Sequence, residues 1–527
     1  MALPETLPSG PDASRSTKMS RVKTNFFANL AGSGWTALVG LACTPLYIHF
    51  MGMEAYGLIG FYLMLQGVIQ ILDLGLSPTM NREMARYSVL QGKTGEARDF
   101  VRTLEVGYWA IGILIGCAVW LTAPHIASHW IKSGNIPTSE VRRAVAIMGA
   151  LTALQWPLSF YQGGLLGLQR QVLHNGITIG TATLSGGGAL LVLWLVSPTV
   201  SAFFTWQIAV SLLQTAATTF ALWRCLPGSG RAARFDPGIT RNIWRFAAGM
   251  SGITITALML TQLDKVILSK MLTLEIFGYY ILAGMVGNGL SGLLIAPMFN
   301  TVFPRFSALV AEGDEKSLLE MYHGSTQVMA VMILPAAAVI AFFSREIMVL
   351  WTGSPEIANN TALIVSILVA GTALNGLMNL PYALQLSHGW TRIGLAINIV
   401  FIVTLVPAIV FTTKRFGAAG AASVWLALNA IYMIVGVPLT HRRLLKGEAF
   451  RWFTKDVGIP LAGSLIIAGS ARMIFPVFES TSRLLPVSLL LLVFVLTAAG
   501  AAMCTPATRD FIFHSILGRK QPVERRF

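Results

Sequence analysis

Apolar residues fill most of this chain in blocks of about 20, and short polar segments separate the blocks. A helix needs about 20 mostly apolar residues to cross the hydrocarbon core of a bilayer, so each block predicts one transmembrane helix. Some connections, such as Ser197-Pro198-Thr199, are so short that neighbouring helices must be antiparallel. The fourteen predicted spans are 25–50, 55–78, 105–123, 143–163, 174–196, 200–223, 243–268, 276–300, 323–343, 361–385, 393–412, 418–440, 457–476 and 485–504.

The composition agrees with an all-α polytopic membrane protein. Of the 527 residues, 54% are hydrophobic and only 12% are charged, whereas a soluble domain carries about 25% charged residues. The four cysteines are far apart and form no CxxC pair, which predicts neither a disulfide framework nor a zinc site. Residues 1–24 are polar and lack the apolar core of a signal peptide, so we expect a disordered cytoplasmic tail.

The basic residues indicate the orientation in the membrane. If the N-terminus is inside, the cytoplasmic segments carry 28 of the 38 lysines and arginines, in agreement with the positive-inside bias of membrane proteins. The sequence therefore predicts that both termini face the cytoplasm. Basic cytoplasmic loops also explain the net charge of +15, so no nucleic-acid partner is predicted.

The chain repeats several landmarks at a nearly constant interval of 221 to 224 residues. Two related halves are typical of transporters that alternate access between two lobes. Six predicted spans form each half and both halves begin inside, so a pseudo-twofold axis along the membrane normal would relate them. The matching pairs are Glu54 and Glu275, Tyr56 and Phe277, Gly57 and Gly278, Pro157 and Pro381, Arg170 and Arg392, and Asn175 and Asn398.

Two six-helix lobes, followed by two extra C-terminal helices, give the predicted domain organisation. The stretch between the lobes contains Pro227, Gly228, Gly230 and Pro237, which are typical of a linker. The predicted segments are the tail 1–24, the N-lobe 25–223, the cytoplasmic linker 224–242, the C-lobe 243–440, the extra spans within 441–504 and a basic cytoplasmic tail 505–527.

Few ionisable residues qualify as charges in the middle of a predicted span, where a charge costs about 2.5–3.5 kcal/mol and needs a reason. Asp73 lies near the cytoplasmic end of span 2, and Asp264 and Lys265 lie together late in span 7. Adjacent side chains point about 100° apart on a helix, so this pair must meet another partner or a water-filled cavity. Asp73 and Asp264 are candidates for coupling or for cavity polarity, and charges that lock helix packing are the alternative.

Arginines follow the cytoplasmic ends of two corresponding spans. Arg82 and Arg86 come after Asp73, and Arg305 comes after the proline-containing end of span 8. The planar guanidinium group suits bidentate binding of phosphate oxygens, so these arginines and Lys265 are candidates to bind a diphosphate or a sugar. Positive-inside anchoring is the favoured explanation of any one of these arginines taken alone. Arg472, near the outer end of span 13, has no explanation in the sequence.

The motifs predict neither an enzyme nor a bound cofactor. The sequence contains no Walker A motif, no GxSxG elbow and no acidic metal-binding cluster. His125 and His129 are four residues apart, but no third ligand is near them in the sequence, so no metal site is predicted.

Along spans 1–12 the chain resembles the polysaccharide-repeat-unit (O-antigen and exopolysaccharide) flippases of the multidrug/oligosaccharidyl-lipid/polysaccharide exporter superfamily. Three segments carry the resemblance: NFFANLAGSGWTALVGLACTPLYIHFMGMEAYGLIGFYLMLQG at 25–67, ILDLGLSPTMNREMAR at 71–86 and TQLDKVILSKMLTLEIFGYY at 261–280. The resemblance implies two lobes around a central cavity that move an undecaprenyl-diphosphate-linked oligosaccharide to the outer leaflet. Spans 13–14 are similar to the extra pair of the related lipid II flippases.

The resemblance also implies the cellular setting. The expected partners are the lipid-linked oligosaccharide and membrane lipid, the expected location is the bacterial cytoplasmic (inner) membrane, and a polysaccharide polymerase or assembly complex is a further candidate partner. One departure is that no basic residue lies between Lys23 and Arg82, which leaves the cavity face of spans 1 and 2 largely neutral. The alternatives are a drug or cation antiporter of the same superfamily and, behind it, a membrane-embedded glycan-assembly enzyme or an assembly scaffold.

Overall fold

The computed structural model describes residues 11–73, 75–88, 90, 93–226, 228, 231–238, 255–256, 259–476, 484–506 and 508–509. These residues are almost entirely helical and contain no β-strand, only one isolated bridge between Lys132 and Thr273. The predicted all-α fold class is confirmed.

The helices before the linker are α1 (Pro11–Met51), α2 (Met53–Gln70), α3 (Leu76–Tyr87), α4 (Thr94–His125), α5 (Thr138–Gly167), α6 (Gln171–Thr183), α7 (Ala189–Leu195) and α8 (Val200–Cys225). A 3-10 turn, Ile71–Asp73, follows α2, and π-helical turns lie at Ile126–Trp130 and Leu184–Gly188.

The helices after the linker begin with α9, formed by the helical residues 259–271. They continue with α10 (Leu274–Leu290), α11 (Ala296–Glu312), α12 (Glu315–Phe342), α13 (Ser344–Thr352), α14 (Pro355–Ser387), α15 (Thr391–Leu444), α16 (Ala449–Arg451), α17 (Ile459–Ile474) and α18 (Leu484–Met503). In this half, π-helical turns lie at Ser291–Ile295 and Trp452–Gly458.

Within the described residues, 12 helical stretches are long and apolar enough to cross a membrane. One of them, Gly394–Leu444, contains predicted span 12 and all but the first residue of predicted span 11. Its 51 residues would measure about 75 Å as a straight helix, which is more than twice the thickness of the hydrocarbon core. Predicted span 7, at 243–268, lies largely outside the described residues. The chain is a multi-pass membrane protein.

A break at Gly417 resolves the long stretch into two helices. This residue has φ 58° and ψ −142°, a backbone conformation that L side chains rarely adopt. Beyond the break the chain folds back on itself. The close approach of Gly420 to Thr412 shows this, since a Cβ atom added to Gly420 would stand 2.3 Å from the carbonyl oxygen of Thr412. Predicted spans 11 and 12 are therefore joined by a tight helical hairpin.

Several helices continue beyond the apolar spans predicted from the sequence. For example, α4 begins at Thr94 and α12 begins at Glu315. Hydropathy ends a span at its first charges, whereas the hydrogen bonds of a helix do not depend on side-chain polarity. As a result, Glu105, His323 and Asp456 lie inside helical segments, and all three are buried.

The described residues form two compact units. The first unit contains the chain up to Met259 and also Thr273–Glu275, and the second contains Leu260–Leu272 and the chain from Ile276 onward. The first unit has a core between α3, α4, α5 and α8 that is rich in buried aromatic rings. In the second unit, α17 and α18 pack on α12 and on each other.

Glycines allow α3 and α5 to approach closely in the first unit. A Cβ atom on Gly163 would stand 2.7 Å from the carbonyl oxygen of Ser77, and one on Gly167 would stand 2.4 Å from that of Asn81. Both distances are shorter than van der Waals contact, so only glycine fits at these two positions of α5. This close packing holds α3 and its charged residues against the core of the unit.

Candidate functional site

Asp73 stabilises the corner between α2 and α3. After the 3-10 turn, Gly75 takes a left-handed conformation (φ 79°) that directs the chain into α3. The Asp73 carboxylate accepts hydrogen bonds from the Ser77 backbone N–H (3.2 Å), the Ser77 hydroxyl (3.0 Å) and the Tyr108 hydroxyl (2.6 Å). Its negative charge also lies at the positive N-terminal end of α3. Asp73 thus fastens this corner to α4.

Arg82 and Arg86 lie one turn apart on α3 and share one acidic partner. Arg82 donates from Nε (3.2 Å) and Nη2 (2.7 Å) to Oε1 of Glu83, and Arg86 donates from Nη1 to Oε2 at 3.4 Å. The Glu83 side chain is only 11% exposed, whereas those of the arginines are 55% and 66% exposed. Two largely exposed guanidinium groups beside one carboxylate leave an excess positive charge on this face of α3.

Asp264 and Lys265, the adjacent charged pair of α9, have different main partners. The Tyr280 hydroxyl donates to Oδ2 of Asp264 at 2.7 Å. The Lys265 ammonium group donates to the carbonyl oxygen of Thr261 and stands 3.5 Å from Oδ1 of Asp264. Both side chains are largely covered, at 20% and 26% exposure. Tyr280 of α10 is therefore the further partner that we expected Asp264 to have, beyond its neighbour Lys265.

Arg305 lies on α11 and is exposed. The turn after α11 carries Asp314, whose carboxylate caps α12 by accepting from the Ser317 N–H at 3.0 Å. Hydrogen bonds from Ser317 lower the pKa of the Asp314 carboxyl group, and the positive charges of Lys316 and Arg305 lower it further. Arg305 therefore stands near the α11–α12 turn, in a position open to charged ligands.

The predicted site residues thus fall into three places on the described chain. Asp73, Arg82 and Arg86 share the α2–α3 corner, although the carboxylate and the arginines have separate partners. Asp264 and Lys265 contact each other on α9. Arg305 stands alone among the predicted residues at the α11–α12 turn.

A groove of about 750 Å³ opens on the first unit between α4, α5 and α8. Its walls are mostly apolar and aromatic, with Arg102 and Glu105 as its charged members. The complete lining is Arg102, Glu105, Val106, Trp109, Leu154, Tyr161, Leu212, Thr215, Ala216, Thr219, Phe220 and Trp223.

Glu105 is a buried charge that the sequence analysis missed. Its Oε1 accepts from the Tyr161 hydroxyl (2.7 Å) and from the Trp223 indole N–H (3.1 Å), and its Oε2 accepts from Arg102 at 2.8 Å. These donors compensate the carboxylate for its loss of water. The signal in the sequence is a glutamate at the first position of predicted span 3.

The described part of the linker is attached to the start of α4. The Arg231 guanidinium group pairs with Asp99, and the Arg234 N–H donates to the same carboxylate at 2.7 Å. The Asp236 N–H donates to the Thr103 hydroxyl at 2.9 Å. The linker is therefore held on the first unit by side chains of α4, which no sequence motif indicated.

Comparison with known proteins was made by sequence and by fold. The sequence profile of a family described as "Polysaccharide biosynthesis protein" matches residues 49–355, more than half of the chain. A putative O-antigen transporter of Shigella flexneri is 20% identical over 408 residues, which cover 77% of this chain and 94% of that relative.

The solved structures of a flippase and of a multidrug transporter have folds similar to that of this chain. The lipid II flippase MurJ, in an inward closed conformation, has a TM-score of 0.70 at 13% identity and covers 94% of this chain and 100% of its own. An inward-facing multidrug resistance MATE family transporter of the MOP superfamily has a TM-score of 0.61 at 15% identity, covering 78% of this chain and 94% of its own. At these identities the likeness establishes the fold.

Proposed function

Because this chain belongs to the polysaccharide biosynthesis protein family, we propose that it is a flippase for undecaprenyl-diphosphate-linked oligosaccharide repeat units. It moves them from the inner to the outer leaflet of the bacterial cytoplasmic membrane by alternating access, for the synthesis of a surface polysaccharide. The family match over residues 49–355 carries this proposal. The related proteins are transporters and flippases rather than enzymes.

The two most informative relatives support different parts of the proposed substrate. The Shigella flexneri relative is a putative O-antigen transporter, which supports a polysaccharide precursor. The lipid II flippase supports a lipid-linked substrate, and its fold covers 94% of this chain, compared with 78% for the multidrug transporter. The lipid II flippase therefore covers 16% more of this chain than the multidrug transporter does. A stretch of that length can hold two spanning helices and their connections, which is the length that α17 and α18 need.

Recognition of the diphosphate is assigned to the predicted cations. Arg82 and Arg86 have exposed guanidinium groups that Glu83 holds in place on α3. If a diphosphate replaces Glu83 as the partner of the two arginines, its oxygens accept hydrogen bonds from two planar guanidinium groups that are already oriented. Lys265 and Arg305 are the proposed contacts of the second half, either with the diphosphate or with sugar hydroxyls.

Asp73 and Asp264 are proposed to set the polarity of the transport path. Each carboxylate accepts a hydrogen bond from a tyrosine, Tyr108 for Asp73 and Tyr280 for Asp264. A change in the protonation of either acid would alter a contact between helices, which is how such a residue can couple an ion to a conformational change. The acids therefore act through helix packing and not through direct contact with an anionic substrate.

The proposed setting follows from the same assignment. The protein lies in the cytoplasmic membrane with both termini inside, and membrane lipid surrounds it. A polysaccharide polymerase or assembly complex would receive the repeat units at the outer face.

The test is to deplete the protein in its host and to extract the undecaprenyl-diphosphate-linked oligosaccharides. We expect complete repeat units to accumulate on the cytoplasmic face while surface polysaccharide is lost. The wild-type gene should reverse both effects, as should a variant with Arg415→Gln, whose guanidinium group stacks on Phe411. Normal lipid-linked pools together with a changed sensitivity to cationic drugs would contradict the flippase and support the antiporter.

A further inference from the structure

A buried group of polar side chains joins α12, the end of α15 and the segment that leads into α17. Hydrophobic neighbours enclose these side chains, and several are fully covered. We refer to them as the His323 cluster, which consists of Tyr322, His323, Gln327, His441, Glu448 and Asp456.

His323 lies between two carboxylates at the centre of the cluster. Its side chain is 2% exposed; its Nδ1 is hydrogen-bonded to Oδ2 of Asp456, and its Nε2 stands 3.1 Å from Oε2 of Glu448. The other oxygen of Asp456 accepts from Gln327 Nε2 at 2.8 Å. The Asp456 side chain is completely covered, whereas that of Glu448 is 25% exposed. Glu448 therefore connects the buried pair with the surface.

Several buried polar atoms of the region form no hydrogen bond within the described residues. They are the Nε2 nitrogen of His323, whose approach to Glu448 is an ion-pair contact, the Tyr322 hydroxyl, both ring nitrogens of His441 and the indole nitrogen of Trp452. The rings of Tyr322 and His441 are 5.5 Å apart, and those of His441 and Trp452 are 6.4 Å apart. Buried polar groups are nearly always satisfied, so this region is suited to exchangeable protons and water rather than to dry packing.

The charges that face His323 come from every neighbouring segment. Asp456 comes from the π-turn before α17 and Glu448 from the residue before α16. Arg451 stands 3.8 Å from Oε2 of Glu448, the oxygen that also faces His323, and His441 contributes a second imidazole from α15. If the His323 ring is neutral, the fully covered Asp456 carboxylate forms no ion pair within the part of the chain that the structure describes. A proton on the ring supplies the positive charge for such a pair, because both nitrogens then face an acid.

We propose that the His323 cluster is a proton-binding site, and that its bound proton strengthens the contact between His323 on α12 and the carboxylates of Glu448 and Asp456, which come before the start of α17. In the loaded state His323 donates from Nδ1 to Asp456 and faces Glu448 with Nε2–H. On release the Nε2 proton passes to the Glu448 carboxylate and then to water, while the neutral ring keeps its Nδ1–H on Asp456. This property goes beyond the proposed transport and rests only on residues of the second unit.

The site predicts how stability depends on pH. A proton bound by the folded cluster is absent from the unfolded chain once the pH exceeds about 6.5, the ordinary pKa of histidine, so its contribution to stability falls as the pH rises. The full-length protein in lipid nanodiscs can be followed by its thermal unfolding midpoint between about pH 5 and about pH 8. We expect the wild-type midpoint to fall by about 2 °C across this range, most of it above about pH 6.5. The measurement needs no substrate, so its result is independent of the proposed transport function.

Two variants separate the proton from the mechanical contact. His323→Asn with Asp456→Asn retains two hydrogen-bonding amides without a titratable pair, and its midpoint should fall less with rising pH than that of the wild type. Glu346→Gln with Arg472→Gln removes the ion pair at the other end of α17 without leaving a buried carboxylate, and it should lower the midpoint equally at each pH. If the variant at His323 and Asp456 does not fold, His323→Gln, whose amide can still donate to Asp456, takes its place. A flat wild-type profile, or a cluster variant that keeps the wild-type slope, overturns the proposal.

Discussion

Arg472 donates from Nη1 to Oε1 of Glu346 at 2.6 Å, across 126 residues of sequence. The Glu346 side chain is 3% exposed and that of Arg472 is 30% exposed. The guanidinium carbon also lies 5.4 Å from the centre of the Phe343 ring. This ion pair joins α17 to α13 and explains an arginine for which the sequence alone offered no role.

Removal of Arg472 should destabilise the second unit. Arg472→Gln leaves Glu346 as a buried charge without its partner, which costs about 3–5 kcal/mol. Thermal unfolding in nanodiscs measures the loss, and Glu346→Gln added to this variant should restore part of it because no charge is left buried. Arg345→Gln is the matched control, since Arg345 bonds Asn359 at an exposed position. Equal losses for Arg345→Gln and Arg472→Gln would contradict the importance of the buried pair.

Asp73 should be sensitive to removal of its acceptor atoms. Asp73→Ala leaves the Ser77 and Tyr108 hydroxyls without their shared partner and removes a charge at the start of α3, at a cost of about 1–3 kcal/mol. Asp73→Asn keeps one acceptor oxygen and should cost less. Unfolding midpoints rank the two variants. A larger effect of Asp73→Asn on polysaccharide export than on stability would assign the charge itself to transport.

Arg82 and Arg86 should contribute to the affinity for a diphosphate. Replacement of either by glutamine removes a charged hydrogen bond worth about 1.5–3 kcal/mol, or roughly a tenfold to hundredfold loss of affinity. Binding of an undecaprenyl diphosphate to the purified protein is the measurement. Glu83→Gln releases both arginines from their acid and should tighten binding. Lys93→Gln, at an exposed pair with Glu96, should leave binding unchanged, and an equal loss there would indicate nonspecific attraction.

The close approach of α3 and α5 should tolerate no side chain. Gly163→Ala places a Cβ atom 2.7 Å from the Ser77 carbonyl oxygen, and the resulting separation of the helices should cost about 1–3 kcal/mol. A Cβ atom on Gly176 would meet nothing within 4 Å. Gly176→Ala should therefore be neutral or stabilise α6 by up to about 1 kcal/mol. Thermal unfolding midpoints of the two variants measure this difference. Equal midpoints for Gly163→Ala and Gly176→Ala would show that α3 and α5 are loosely packed.

The proposed orientation can be tested with single cysteines in a cysteine-free background. Lys93→Cys should react with a membrane-impermeant reagent in inverted vesicles, because residue 93 is exposed before α4 and belongs to the predicted cytoplasmic side. Asn135→Cys, exposed in the loop before α5, should react only in intact spheroplasts. Labelling of both positions from the same side would reject the predicted topology.

The sequence by itself determined the class of the protein and the positions of most membrane helices. Twenty apolar residues can satisfy their backbone hydrogen bonds in a bilayer only as a helix, so a local count of hydropathy is sufficient. The hydropathy count also separated spans 11 and 12, at 393–412 and 418–440. In the structure these two spans belong to one helical stretch that is interrupted only at Gly417.

Only the tertiary structure decided which charges are buried and with what partner. Hydropathy placed Glu105, His323 and Asp456 at the edges of spans, where a charge is expected to face water. In the folded chain their partners come from other helices, 133 residues away for His323 and Asp456 and 118 residues away for Glu105 and Trp223. Burial is a property of neighbouring helices that assemble in three dimensions, so no local pattern of residues can specify it.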